Sequence, residues 1–139
     1  MSEHPNVARI VKGYERFAAR DLEGVIDLLA DDIVWHVPTV GDRTVQRRGR
    51  DDVAAYLIGL YEHTGGTLEL DVLEVFADDH HAVAHVRETA TRAADGERLD
   101  VREAHVFHLN SAGQAVEFWD IPADLHAHVD FFSGAPISR

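Results

Sequence analysis

Cysteine is absent from all 139 residues of the chain, and this absence excludes several kinds of structure and chemistry. Without a thiol the protein cannot form a disulfide, a thiolate metal site or a cysteine nucleophile. Any reaction must therefore be carried by histidine, aspartate, glutamate, tyrosine, arginine or serine side chains.

Positive charge is also scarce. The chain has 13 lysine and arginine residues against 25 aspartate and glutamate residues, which gives a formal net charge of -12. Phosphate backbones are bound by clustered cationic side chains. The basic cluster of this chain, which runs from Arg43 to Arg50, is interpreted as a solvated loop, so no nucleic-acid partner is predicted.

Long hydrophobic runs are missing as well. No segment approaches the roughly 20 apolar residues that a transmembrane helix needs. The first residues lack the basic region and apolar stretch of a signal peptide. We therefore predict no membrane partner and a cytoplasmic location, and the length predicts one domain over residues 1–139 with a C-terminal tail at 123–139.

Helical periodicity is present in the first half of the chain. Asn6 is predicted to cap a first helix, whose apolar residues recur every three or four positions. Asp21 is predicted to cap a second helix that ends near Asp31 and Asp32. A third helix has Asp51 and Asp52 in its first turn and apolar residues on one face, and it ends at Gly65 and Gly66.

The strand pattern begins between the second and third helices and fills the second half of the chain. A short strand is predicted at Ile33–Val37, and a weaker one near Thr44–Gln46. Four alternating strands separated by turn residues then follow, at 67–77, 81–93, 99–109 and 114–121. This order predicts an α+β fold in which a curved antiparallel sheet packs against helices on one face.

The hairpin at Leu99–Pro122 places ionisable side chains in apolar rows. On its first strand Glu103 and His105 alternate with apolar residues, and on its second strand Asp120 shares a face with Phe118. Counting back from the turn puts His105 and Asp120 on neighbouring strands within reach of each other. The two residues form either a catalytic pair facing a cavity or a pair that satisfies itself in the core or at the edge of the sheet.

Four segments, taken in order, carry a family resemblance: LLADDIVWHVP, GRDDVAAYL, HVRETATRAADGERLDVREAHVFHL and GQAVEFWDIPAD. Their order and spacing resemble the SnoaL-like branch of the nuclear transport factor 2-like superfamily. The resemblance implies a cone-shaped α+β barrel, with the curved sheet wrapped around three N-terminal helices and one deep pocket. It also implies a dimer, and it leaves the activity open because this fold hosts isomerases, cyclases, hydrolases and binding proteins.

Individual positions can be compared with members of known activity. Against ketosteroid isomerases, Val37 stands where the general-base aspartate would be, and His105 stands where the oxyanion-hole aspartate would be. Against limonene epoxide hydrolases, Asp120 matches the water-activating aspartate and Arg87 lies near the arginine, but Thr89 occupies the position of the second aspartate. The polyketide cyclases give the best agreement, because both His105 and Asp120 match.

The resemblance implies a cavity for a small apolar or polycyclic ligand. Asp120 would act as acid or base, while His105, favoured as imidazolium beside a carboxylate, and Arg87 would stabilise an oxyanion. Glu103 is read either as a pocket acid or as a charge at the mouth. The other predicted lining residues are Tyr14, Trp35, Val37, Leu57, His85, Phe107 and Phe118.

Two functions follow as expectations. The first is a cofactor-independent cyclase, isomerase or hydrolase acting on a carbonyl, enol or epoxide compound, and the alternative is a binding module without turnover. No metal site is predicted, because the pair His126 and His128 alone would bind an ion weakly.

A homodimer is predicted through the outer face of the sheet, on which apolar residues are expected at Ala84, Val86, Ala104, Val106 and Trp119. The alternative is that Phe131 and Phe132 of the tail cover this face.

Overall fold

Six strands form one curved sheet, and four helices pack around it in the computed structural model, which describes residues 3–133. The elements in chain order are α1 (Pro5–Ala18), α2 (Leu22–Ile26), β1 (Leu29–Val37), β2 (Val45–Arg48), α3 (Arg50–His63), β3 (Glu69–Ala77), β4 (His81–Thr91), β5 (Arg98–Leu109), β6 (Ala115–Pro122) and α4 (Leu125–Phe132). The α+β class and the cone-shaped architecture predicted from the sequence are confirmed.

The strand order is β2-β1-β6-β5-β4-β3. Strands β3 to β6 form the predicted meander of antiparallel hairpins. The sheet is mixed rather than wholly antiparallel, because β1 pairs in parallel with β6, with Trp35 opposite Phe118. This pairing joins the two parts of the sheet and stacks the half-buried Trp35 on the buried Phe118, with ring centroids 3.8 Å apart.

Two helix boundaries differ from the sequence predictions. The cap of α1 is His4, because Pro5 supplies the first helical residue; Asn6 lies inside the helix, where its side chain donates to the Asp78 carbonyl at 2.9 Å. Asp21 caps α2 as predicted, but the helix ends at Ile26. Leu29 pairs with Ala115 of β6, so sheet pairing overrides the helical periodicity there.

Helix α4 lies within the segment that was predicted as a C-terminal tail, residues 123–139. Asp124 caps it by accepting from the Ala127 backbone N–H at 3.0 Å. Phe131 is buried beside α3, where its carbonyl accepts from His63 Nε2 at 2.6 Å. The alternative that the tail covers the outer face of the sheet is therefore wrong. Because Phe131 packs back onto the domain, α4 lies against β5 and β6.

Alternation along β4 and β5 decides which side chains face the helices. The inward row of β5 is the predicted one, and it includes Glu103 and His105 between apolar residues. On β4 the inward row consists of the even-numbered residues Ala82, Ala84, Val86, Glu88 and Ala90. The prediction that His85 and Arg87 face the cavity is therefore wrong.

The register of the hairpin explains this correction. Val86 lies opposite Glu103 and Arg87 lies opposite Arg102, so Val86 shares the inner face with Glu103. The resemblance to family members predicts the opposite parity for β4, and the register contradicts it. For the same reason Ala84 and Val86, which are both fully buried, do not belong to the outer face to which the dimer prediction assigned them.

Candidate functional site

A cavity of about 110 Å³ lies between α1, α3 and the inner face of the sheet. Its wall is mostly apolar and includes the predicted residues Trp35, Leu57, Phe107 and Phe118. Val37 packs against the core without lining the cavity. The polar side chains on the wall are Arg9, Tyr14, Tyr56, Glu88, His105 and Asp120.

His105 is the best-connected polar residue of this wall. It is 5% exposed, and both ring nitrogens have partners: the Tyr14 hydroxyl lies 2.5 Å from Nδ1, and Glu103 Oε1 lies 2.8 Å from Nε2. Because the carboxylate can only accept, Nε2 carries the proton that it donates to Glu103. Tyr14 and His105 also stack, with ring centroids 5.8 Å apart.

Asp120 lies directly opposite His105 in the register between β5 and β6, as predicted. Its Oδ1 is 3.5 Å from His105 Nε2. The same oxygen is buried without a hydrogen-bond partner among the described residues, because Glu103 occupies the closer position on Nε2. The carboxylate of Asp120 thus borders the cavity with an acceptor that is not in use.

A second histidine, missed by the sequence reasoning as a site residue, extends the cluster. Helix α4 brings His128 over the sheet, where its Nε2 lies 3.1 Å from Glu88 Oε1 and 3.1 Å from Glu103 Oε2. Asp120 Oδ2 lies 3.6 Å from the same nitrogen. Glu103 therefore bridges the two histidines, and these five residues are called the inner cluster: Glu88, Glu103, His105, Asp120 and His128.

Burial and mutual attraction shift the titration of the inner cluster in opposite directions. Burial raises the pKa of Glu88 to about 7, although His128 counteracts it. Burial also acts on Glu103, but the contacts of Glu103 with His105 and His128 outweigh it and lower the pKa of that carboxyl group.

Both histidines favour the charged form. For His128, burial is opposed by Glu103 and Glu88, which raise its pKa to about 10. For His105, burial is likewise outweighed, here by Tyr14, Asp120 and Glu103, so its pKa lies well above the ordinary value. This direction agrees with the imidazolium form predicted for His105.

Arg87 and His85 lie on the outer face of the sheet. The Arg87 guanidinium binds Asp100 through two hydrogen bonds, Nε to Oδ1 at 2.8 Å and Nη2 to Oδ2 at 2.5 Å. Both side chains are about half exposed, at 50% and 53%. Arg87 is thus separated from Asp120 by the sheet and cannot polarise a ligand in this cavity.

Two subsets of the inner cluster have the residue types of a cation site. One comprises Glu88, Glu103 and His128, and the other comprises Glu103, His105 and Asp120; in each, one ligand atom per residue lies within 4.8 Å of the others. In the chemistry of the site, carboxylates offer acceptors or bases, and protonated imidazoles or the tyrosine hydroxyl offer donors.

The missed residues differ in how visible they were in the sequence. Glu88 interrupts a row of small apolar residues on β4, which is the signal of a carboxylate on an inner face. His128 gives no such signal, because its position depends on how the chain turns after Pro122.

Among residues 3–133, no helix is both long and apolar enough to cross a membrane.

Comparison with known structures shows many proteins of the same fold. Bal32a from a soil-derived mobile gene cassette is 28% identical, with a TM-score of 0.81, over 91% of this chain and 95% of that chain. An NTF2-like protein from Burkholderia pseudomallei is 25% identical, with a TM-score of 0.77, over 94% and 100%. TerC, co-crystallised with polyporic acid, is 21% identical, with a TM-score of 0.77 and the same coverage.

A comparison with curated proteins gives no match. The family described as SnoaL-like domain matches residues 10–118, a segment that runs from α1 into β6 and contains Tyr14, Glu88, Glu103 and His105. The chain therefore belongs to the SnoaL-like domain family.

Proposed function

We propose that this protein is an acid/base enzyme that acts on a small, mostly apolar compound bearing a carbonyl, enol or epoxide group. One observation carries the proposal: Asp120 presents a buried, unpartnered carboxylate oxygen at the wall of an apolar cavity, beside the hydrogen-bonded pair Tyr14 and His105. An apolar cavity with a few convergent polar groups is the usual form of a small-molecule site.

Asp120 is assigned the role of general base. Its free oxygen can accept a proton from a carbon next to a carbonyl group, or from a water molecule that attacks an epoxide.

Tyr14 is assigned the role of hydrogen-bond donor to the oxyanion, and His105 in turn donates to Tyr14. When His105 is an imidazolium, its Nδ1–H donates to the tyrosine oxygen, 2.5 Å away. The hydroxyl proton of Tyr14 is then available for the oxygen of a ligand in the cavity. The proton removed by Asp120 and the negative charge that develops on the substrate oxygen would thus be handled by different residues.

The cavity also limits the substrate. About 110 Å³ is of the order of the roughly 150 Å³ cavities that hold one aromatic ring, and larger ligands must extend through the opening. TerC, which has a similar fold, was co-crystallised with polyporic acid, an organic compound of the kind proposed here.

We propose to test the assignment by proton exchange rather than by guessing the natural reaction. The probe is 2-tetralone in D2O, with enzyme-dependent loss of its α-proton signals followed by NMR. Asp120→Asn is expected to abolish the enzyme-dependent exchange while the ligand still binds, because an amide cannot accept the proton. Tyr14→Phe is expected to slow exchange by about 10- to 1,000-fold.

Asp100→Asn is the matched control. It makes the same chemical change at a carboxylate on the outer face, and exchange should proceed at the wild-type rate. Wild-type exchange in Asp120→Asn would refute the base assignment. Saturable binding without any exchange in the wild type would favour the second candidate, a non-catalytic binding module, which is supported by the fact that both nitrogens of His105 already have protein partners.

We also propose a homodimer through the outer face of the sheet. The register aligns Phe76, Val83, Val106 and Trp119 across four neighbouring strands. Phe76 is 61% exposed and Val83 is 36% exposed, so this apolar row is accessible to a second copy.

Light scattering on the purified protein tests the dimer. Val83→Asp should give a monomer, because it places a charge in the centre of the row. Ile58→Asp, at an exposed position on α3, is the matched control and should leave the mass unchanged. A monomeric wild type at micromolar concentration would refute the proposal.

A further inference from the structure

We propose that Glu88, Glu103 and His128 form a binding site for one divalent transition-metal ion, of the class that includes Mn²⁺, Fe²⁺, Co²⁺ and Zn²⁺. The site is a feature of the inner cluster that the proposed acid/base step does not use. It stands or falls independently of whether the cavity is catalytic.

The three side chains converge from separate elements into a buried region. They come from β4, β5 and α4 and are 4%, 2% and 4% exposed. His128 Nε2 lies 3.1 Å from one oxygen of each glutamate. Neither contact has hydrogen-bond geometry, so Glu88 Oε1 and Glu103 Oε2 lack hydrogen-bond partners within residues 3–133.

These distances fit ligands that share an ion. Two donor atoms that each lie about 2.1 Å from a metal, at right angles to each other, are about 3.0 Å apart. The lone pair of an imidazole nitrogen then points between the two oxygens rather than at either one. Contacts near 3 Å that fail as hydrogen bonds are the pattern expected of such a set.

The charges of the inner cluster also favour a cation. When all its members are ionised, three carboxylates face two imidazolium groups, Glu88, Glu103 and Asp120 against His105 and His128. A metal that displaces the proton of His128 leaves two positive charges from the ion and one from His105 against the same three carboxylates. The buried charge is then balanced.

The donor types narrow the ion. Two carboxylates and one imidazole suit borderline divalent metals, whereas a soft ion such as Cu⁺ would need sulfur ligands that this chain lacks. Asp120 Oδ2, 3.6 Å from His128 Nε2, is close enough to serve as a fourth ligand. Because Glu88 and Asp120 line the cavity, a remaining coordination position would be open to a ligand there.

The other subset, Glu103, His105 and Asp120, is a weaker candidate, because hydrogen bonds to Tyr14 and Glu103 already engage both nitrogens of His105. For His128, in contrast, Nδ1 is buried without a hydrogen-bond partner in the described part of the chain. Metal-bound histidines usually donate from their second nitrogen, so we expect a dissociation constant in the micromolar range rather than tighter binding.

The competing explanation is a shared proton. In that arrangement Glu88 is protonated, His128 is an imidazolium, and the cluster is held by ion pairs alone. Both explanations account for three buried groups in contact, but only the metal site predicts saturable binding of an ion.

The experiment titrates the full-length protein, freed of metal by EDTA and dialysis, with Co²⁺ and Mn²⁺. Calorimetry and the visible spectrum of Co²⁺ should show one ion per chain. Glu88→Gln and His128→Gln should each weaken binding by at least about 100-fold. The matched control is His126→Gln, which changes an exposed histidine on the same helix and should bind the ion like the wild type.

Several outcomes would overturn the proposal: no saturable one-to-one binding, wild-type affinity in Glu88→Gln, or equal loss in His126→Gln, which would identify a surface site. If the inner variants fail to fold, as judged by circular dichroism, the wild type still decides. Pulsed electron paramagnetic resonance of its Mn²⁺ complex should show one coordinated imidazole. No imidazole would refute the site, and two would refute the assignment to His128 alone.

Discussion

The two faces of β4 and β5 hold charged residues in opposite ways. On the inner face, Glu103 is 2% exposed and contacts two histidines, His105 and His128. Its negative charge compensates the positive charges of these two imidazolium groups. On the outer face, Arg87 and Asp100 form a two-bond ion pair while both side chains are about half exposed. The outer pair has the more regular geometry, yet water can replace each of its partners.

This difference indicates where the strands hold chemistry. A charge in water is stabilised whether or not its partner is present, whereas a charge in the core exists only because particular neighbours compensate it. Changes to the inner cluster should therefore have large effects on stability and titration, and changes to the outer pair should have almost none. Four variants test this contrast.

Glu103→Ala should have the largest effect. It removes the carboxylate between His105 and His128, so two buried imidazoles lose their shared partner. We expect the free energy of unfolding to fall by about 3–5 kcal/mol. Urea denaturation followed by circular dichroism measures this, and a loss below about 1 kcal/mol would place Glu103 in the same category as the outer pair.

Glu88→Gln should change the pH dependence of stability in metal-free protein. The pKa of Glu88 rises on folding from 4.5 to about 7, so folding favours its neutral form. The wild type therefore loses stability as the pH rises from about 4.5 to 7, whereas the amide does not titrate. Between pH 4 and pH 8, the free energy of unfolding of the variant should therefore fall by on the order of 2 kcal/mol less than that of the wild type. Denaturation curves in EDTA at both pH values measure the difference, and parallel curves would contradict it.

Tyr14→Phe should have a smaller effect. It deletes the hydroxyl that bonds His105 Nδ1 and leaves the aromatic stacking in place. A buried donor or acceptor left unpaired costs about 1–3 kcal/mol. Tyr61→Phe, whose partly buried hydroxyl makes a longer 3.3 Å bond to the Phe17 carbonyl, is the matched control and should cost less. Equal losses in the two variants would mean that burial adds nothing at Tyr14.

Asp100→Asn should have the smallest effect. The variant removes the charge from an ion pair that solvent already screens, so its denaturation midpoint should match that of the wild type. The measurement is repeated in 1 M NaCl, where any residual difference should vanish. A salt-independent loss comparable with that of Tyr14→Phe would show that the outer pair contributes more than its exposure suggests.

The sequence was sufficient for the alternation of β5, where six inward residues follow one another without interruption from Leu99 to Leu109. The predicted pairing of His105 with Asp120 is present, but it also depends on a shift of one residue in the register between His108 and Leu109, which the turn does not reveal. On β4 the two rows are less distinct, because small alanines fill the inner row while Val83 and Thr89 lie on the outer one. The parity of β4 could be settled only by its register with β5.

Two other features depend on contacts between distant segments. The parallel pairing of β1 with β6 cannot be read from either strand alone, because alternation does not specify a partner. His128 reaches Glu103 and Glu88 only because α4 packs back across β5. The candidate metal ligands were thus visible as residue types, and their convergence was not.

The parallel pairing of β1 with β6 also has a consequence for the order in which the protein can assemble. Ribosomes make the chain from its N-terminus at about 5–20 residues per second, so β1 is complete several seconds before β6 exists. During that time β1 can pair only with β2, so the edge of β1 that later joins β6 stays open beside Ile33, which is fully buried in the final fold, and Trp35. We therefore expect the nascent chain to expose this apolar segment to chaperones until residues 115–122 are made, and the inner cluster to be completed last, when α4 adds His128.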